Sequence, residues 1–351
     1  MVIQYNHSFF LKGIVIDMNK IGKATVRLEN PPVIMCTAAI GGKNECEGPI
    51  AKYFDEILKD DRWDAKSCEQ AESKIQKQTA LKALNKANLK TSDIDYLFAG
   101  DLMNQCVATH YGIRDLNIPF FGLYGACSTM VESLSLGSLM LSAGYANRVM
   151  CMTSSHFCSA ERQFRNPLEY GGQRPPSAQW TVTGAGCAIL GYEGDGPKIT
   201  HVTTGKIVDN GINDANNMGA AMAPAAIDTL ITHFKDTKTV PNDYDLILTG
   251  DLGILGSDIL CELMADEGYD IFELHDDCGK IIYDIDKQDM HAGASGCGCC
   301  ATVFCGYIMD KLKKKEYNKI LLMATGALMN TNMLQQGESI PGIAHAVVIE
   351  A

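Results

Sequence analysis

The sequence lacks a basic excess. Its 30 Lys and Arg residues stand against 42 Asp and Glu, a formal net charge of −12. A broad nucleic-acid footprint needs clustered cations to displace the counterions of the phosphate backbone, so that class of partner is excluded. Any apolar run approaching the ~20 residues that cross a bilayer is also missing, so expected membrane contact is peripheral. The first 17 residues (MVIQYNHSFFLKGIVID) lack the unbroken apolar core and small-residue cleavage site of a signal peptide. They read as an N-terminal extension to a fold that starts near Met18.

What is present is globular. Apolar residues make up 46% and charged residues 21%, which excludes a disordered chain. At about 150 residues per domain, 351 residues suggest two lobes. Fourteen cysteines are many. Disulfide scaffolds are short, secreted and small-cored, whereas this chain can bury a core without staples. Most of the cysteines read as small buried hydrophobes in a reducing interior.

The hydrophobic pattern predicts alternating strands and helices. Residues 67–89 place Ile75, Ala80, Leu84 and Ala87 on one helical face. Residues 94–99 and 118–123 read as buried strands, 125–129 as a tight turn, 130–143 as an apolar helix and 149–153 as a third strand. This alternation predicts parallel sheets covered by helices on both faces. The pattern then recurs. DYLFAGDL (95–102) is echoed by DLILTGDL (245–252), Gly125-Ala126 by Gly293-Ala294, and NRVMCMT (147–153) by NKILLMA (318–324). Three echoes in one order imply two duplicated α/β halves, 18–195 and 196–351. A ligand site is expected where strand C-termini and helix N-termini of the halves meet.

Cys127 is the leading candidate for that site. It ends a strand-to-helix turn, where unpaired backbone N–H groups and the helix dipole favour a thiolate or a bound anion. Asp101 and Asp251 follow matching strands and are candidates either for the pocket or as turn caps. Ser295 opens the second apolar helix. His156, His291 and His345 follow or precede candidate elements and can line the pocket or serve the core. The segment GCGCC (296–300) invites a metal reading, but zinc sites pair C-x-x-C units or join Cys and His from separate elements. Crowded at one helix start, these thiols read as small packing residues, and no metal is assigned.

Duplicated halves with a Cys at the start of a central helix resemble the thiolase superfamily, which includes the ketoacyl-carrier-protein synthases. Within it, GACSTMVESL (125–134), TSSHFCSAERQFR (153–165), EYGGQRP (169–175), MGAAMAPAA (218–226), HDDCGKIIYD (275–284), HAGASGCGCC (291–300) and IPGIAH (340–345) are similar to the stage V sporulation protein AD family. The resemblance covers the chain after about residue 20. It implies a thiolase-like α/β fold, two duplicated halves in a five-layered αβαβα arrangement, and a homodimer.

It also implies no catalysis. Synthases of the superfamily pair the nucleophilic Cys with His and His or Asn side chains that stabilise an oxyanion and assist proton transfer. The corresponding slots here read Gly250-Asp251 and Gly293-Ala294. The family resemblance implies binding of dipicolinic acid, or its calcium chelate; from their positions in this chain, Cys127, Asp101, Asp251, Ser295 and His156 are the residues expected to hold it. The resemblance implies no further cofactor. It implies a role in loading that compound into the developing spore, hence in spore resistance and germination. The expected location is peripheral, on the outer face of the spore inner membrane, beside other SpoVA membrane proteins. Two other readings are an acyl-CoA- or carrier-protein-dependent condensing enzyme using Cys127 with His156 or His291, and a scaffold that only docks membrane proteins.

Overall fold

The computed structural model describes residues 8–11, 14–17, 19–164 and 173–351. Ser8–Leu11 and Ile14–Asp17 form a two-stranded antiparallel sheet of their own; most of the predicted extension lies outside the described residues.

The first half contains β1 (Val33–Gly41), α1 (Cys68–Ala87), β2 (Tyr96–Gly100), α2 (Val107–Ile113), β3 (Phe120–Leu123), α3 (Thr129–Ser142), β4 (Val149–Ser155), α4 (Phe157–Phe164) and β5 (Gly184–Gly191). The second contains β6 (Lys198–Thr203), α5 (Met218–Thr237), β7 (Leu246–Thr249), α6 (Gly253–Asp266), β8 (His275–Asp277), α7 (Cys297–Thr302), β9 (Lys319–Ala327) and β10 (Gly342–Glu350). A π-helical stretch, Val303–Ile308, and a last α turn, Met309–Lys313, prolong α7. Local chemistry sets these boundaries. Ser67 caps α1 by accepting the Gln70 N–H at 3.3 Å, and Asn88 ends it in the left-handed region. β4 is buried at every residue, so it has no polar face to alternate with.

Strand order runs β1-β5-β4-β2-β3 in the first half and β6-β10-β9-β7-β8 in the second, the same order twice. The halves join at their β1 and β6 edges, where Val33 pairs with Lys198. The sheets are mixed, which corrects the parallel expectation. β2, β3 and β4 run parallel, as do β7, β8 and β9, but β5 and β10 return antiparallel to both neighbours. The alternation of strand and helix breaks before each returning strand, and pattern alone does not give its direction.

Helices α1 and α2 cover one outer face, and α5 and α6 the other. Between the sheets α3 packs on strands of both halves and against α7, giving five αβαβα layers. Small residues permit this centre. A Cβ on Gly186 of β5 would stand 2.2 Å from the Ala301 carbonyl oxygen, and one on Gly298 of α7 would stand 2.4 Å from Ser155 Oγ. Cys299 and Cys300 are wholly buried there. No disulfide forms among the fourteen cysteines, and eleven are buried. The 297–300 thiols are packing residues, and no metal-sized cluster includes them among the described residues.

Candidate functional site

Cys127 sits in a single 3-10 turn, Ala126–Ser128, that runs directly into α3. Ala126 takes φ 52°, a left-handed conformation that costs an L residue about 1–2 kcal/mol. Local hydrogen bonds hold the turn. Thr129 Oγ1 donates to the Ala126 carbonyl at 2.7 Å and Ser128 Oγ to the Gly125 carbonyl at 2.7 Å. Gly326 of β9 allows the second half to press against it, since a Cβ there would lie 2.6 Å from the Gly125 oxygen.

Above the turn opens a cavity of about 270 Å³. Ala126 and Cys127 form its floor. One wall comes from α4, through Ala160, Glu161, Gln163 and Phe164, and the opposite wall from residues 327–331 after β9. Thr181 and Ser295 stand side by side in the lining because Trp180–Thr181 and Ala294–Ser295 pair as short parallel strands. That pairing delays α7 to Cys297, two residues beyond the predicted helix start at Ser295. Tyr124 and Asn104 border the cavity, with the Tyr124 hydroxyl donating to Asn104 Oδ1 at 2.9 Å. Among the described residues the lining carries one charged side chain, Glu161, and no Lys, Arg or His.

The electrostatics of the floor are set by Asp251, which lies behind Cys127 and outside the lining. It is buried and accepts the Gly296 N–H at 3.0 Å, the Thr325 hydroxyl at 2.9 Å and the Cys127 thiol. Burial pushes its carboxyl up to about 6 against those hydrogen bonds. Burial first, and Asp251 second, raise the Cys127 thiol well above its ordinary range. The thiol is therefore protonated at neutral pH, a hydrogen-bond donor to a carboxylate and not a thiolate.

The expected site residues separate. Cys127 and Ser295 line the cavity, and Asp251 touches it through Cys127. Asp101 does not line it, because both of its oxygens are committed to its own loop: Oδ1 accepts Met103 N–H at 2.9 Å, and Oδ2 accepts Thr109 N–H at 2.8 Å and Oγ1 at 2.6 Å. The shared Gly-Asp-Leu motif hides this difference. In the second half the matching loop is closed by Asp277, which accepts Leu252 and Gly253 N–H groups at 2.8 and 2.9 Å and so leaves Asp251 to face Cys127.

His156 also lies away from the cavity, fully buried, with Nε2 2.8 Å from the Asp61 carbonyl. His291 has Nδ1 2.9 Å from the Pro175 carbonyl, and His345 Nδ1 accepts the Gly205 N–H. Neither lines the cavity. Residues missed from sequence are Glu161 and Gln163 on α4 and Tyr124 and Asn104 at the border. For Glu161 and Gln163 the signal is the TSSHFCSAERQFR stretch (153–165), whose second part forms α4.

A model of the SpoVAD family, stage V sporulation protein AD, matches residues 22–350. The chain belongs to that family. Stage V sporulation protein AD of Bacillus subtilis (strain 168) is 44% identical over 333 residues, covering 95% of this chain and 98% of the relative. The fold is thiolase-like. The 3-oxoacyl-acyl-carrier-protein synthase III of Aquifex aeolicus VF5 superposes with a TM-score of 0.56 at 12% identity, covering 91% of this chain and all of that one. A single-site variant of OleA from Xanthomonas campestris reaches 0.60 at 14% identity, covering 93% and 100%. As in the rest of the family match, this is a sporulation protein, and no helix among its described residues is long and apolar enough to cross a membrane.

Proposed function

We propose that the protein binds dipicolinic acid, as its calcium chelate, in the Cys127 cavity and performs no reaction on it. One observation carries the reading: the superfamily's nucleophile position holds a neutral thiol that donates to a buried carboxylate, and the described lining supplies no His, Lys or Arg. A condensing enzyme needs a thiolate and donors aimed at a developing oxyanion. Asp251 opposes both. A cavity of about 270 Å³ is at the low end of ligand pockets and suits a single ring better than a long acyl chain.

Charge decides the form of the ligand. The calcium chelate of dipicolinate is neutral and offers an ion that prefers carboxylate oxygen, which the described lining supplies at Glu161. Glu161 lines the cavity and accepts Thr181 Oγ1 at 3.5 Å, so it takes the role that Asp101 was expected to play. The family role then follows as loading of dipicolinate into the spore, with SpoVA membrane proteins as partners and a peripheral place on the spore inner membrane. The exposed edge strand β3, with Phe121 49% accessible, is the face on which we place the homodimer.

Calorimetry tests the ligand. Dipicolinate with calcium binds more tightly than without, Glu161→Gln removes most of that advantage, and Asp101→Asn leaves it intact. Absence of heat with either form overturns the reading; equal affinity with and without calcium removes the chelate from it. A parallel incubation with acyl-CoA leaves the intact mass of the wild type unchanged, and an adduct at Cys127 would instead establish the condensing enzyme.

A further inference from the structure

A second cluster lies away from the cavity. Cys68 is the first residue of α1, Cys158 the second residue of α4, and His156 directly precedes α4. Each offers one donor atom, and the three donor atoms lie within 4.8 Å of one another. Tetrahedral zinc with sulfur at about 2.3 Å and nitrogen at about 2.0–2.1 Å sets its ligands slightly closer than this, within reach of small side-chain adjustments. The two thiols are already in hydrogen-bond contact. Cys68 and His156 are buried and Cys158 is half-buried, so Cys158 is the most accessible of the three.

The imidazole is set for this role. Its Nε2–H, donated to the Asp61 carbonyl at 2.8 Å, leaves Nδ1 as the nitrogen with the lone pair, and Nδ1 faces the Cys158 amide at 3.2 Å. Metal-ligating histidines carry this second hydrogen bond to a backbone carbonyl, which fixes tautomer and ring plane. A cation replaces the long amide contact. Once bound, two thiolates from the first turns of two helices balance the charge of a dication. Sulfur and imidazole select zinc-class ions over calcium and magnesium, which require oxygen.

We propose that Cys68, His156 and Cys158 hold a zinc-class divalent cation, with water in the fourth position, clamping α1 to α4. Binding forms two metal–sulfur bonds and one metal–nitrogen bond and releases the two thiol protons to solvent. Because α4 also supplies Ala160, Glu161, Gln163 and Phe164 to the cavity, the clamp holds one wall of the ligand site. This inference concerns separate residues and stands whether or not dipicolinate is the ligand.

The test uses the full chain, reduced and stripped by a chelator, titrated with Zn²⁺ against a chromogenic competitor and with Co²⁺ for its spectrum. The wild type takes up metal stoichiometrically and shows a thiolate-to-cobalt charge-transfer band. Cys158→Ser, at the half-buried position, and His156→Gln each lose more than the ~10–100-fold in affinity that outer-shell changes cost. Cys261→Ser keeps wild-type affinity. Circular dichroism of each metal-free variant verifies its fold. No band and no competition in the wild type, or affinity retained by both Cys158→Ser and Cys68→Ser, overturns the site.

Discussion

Ala327→Trp abolishes binding of calcium dipicolinate, weakening it at least 100-fold, about 2.7 kcal/mol, while the chain still folds. Ala327 is the last residue of β9 and stands in the cavity wall opposite α4, 7% exposed. An indole placed there enters space that is open in the free protein, so it competes with a ring-shaped ligand for a volume of about 270 Å³. Overpacking a closed core costs typically about 1–3 kcal/mol, and here the added atoms meet a cavity instead of packed neighbours. Calorimetry with calcium dipicolinate, paired with circular dichroism, reads the result. A folded Ala327→Trp protein with undiminished affinity moves the ligand to another surface and ends the assignment of this cavity.

The parts of the site that were legible in sequence lie where the two halves repeat. The Gly-Ala echo located the turns that carry Cys127 and Ser295, and the Gly-Asp-Leu echo located Asp251. The same echo pointed equally to Asp101, which closes its own loop away from the lining. A repeat preserves backbone shape, and an Asp after a strand caps its own loop unless another acid, here Asp277, takes over that task and releases it. The walls were not legible. Glu161 and Gln163 reach the cavity because α4 folds over the first-half sheet, and residues 327–331 arrive from the far end of the chain.

His156 shows the same limit. Its surroundings depend on Cys68, which the antecedent helix α1 brings to it across three strands of sequence, and no local motif joins them. The fold was more legible than the site, since the apolar strands and the small-residue centre both follow from burial. The direction of β5 and β10 was not, because a strand buried on both faces reads alike in either direction.

Relative to Glu45→Gln, the wild type loses about 3 kcal/mol of stability as pH rises from about 4.5 to about 8. Glu45 lies in the turn after β1, 1% exposed. One of its oxygens accepts the Thr183 N–H at 2.9 Å and the Tyr283 hydroxyl, and the other has no hydrogen-bond partner. Burial outweighs those donors and lifts its carboxyl from 4.5 to about 7. The folded state therefore holds a proton that the unfolded state has lost. Its stabilising contribution is present below pH 4.5 and disappears as pH rises through the folded value near 7, the reverse of an acid held ionised by a salt bridge.

Raising the carboxyl from 4.5 to about 7 corresponds to about 3 kcal/mol. Gln keeps the shape and an acceptor for Thr183 but does not titrate. Other buried groups bend the absolute curve: Asp251 and Asp277, raised to about 6 and about 7, add to the loss at high pH, while His233 and His275, lowered to about 3, oppose stability in acid. These are common to both proteins and cancel in the difference between them. Denaturant unfolding of the wild type and Glu45→Gln at matched pH values measures it. The two proteins differ least near pH 4.5, and the variant gains steadily on the wild type up to pH 8. A difference that is flat with pH would mean that Glu45 is ionised in the folded core, held by Tyr283 and Thr183 strongly enough to cancel its burial.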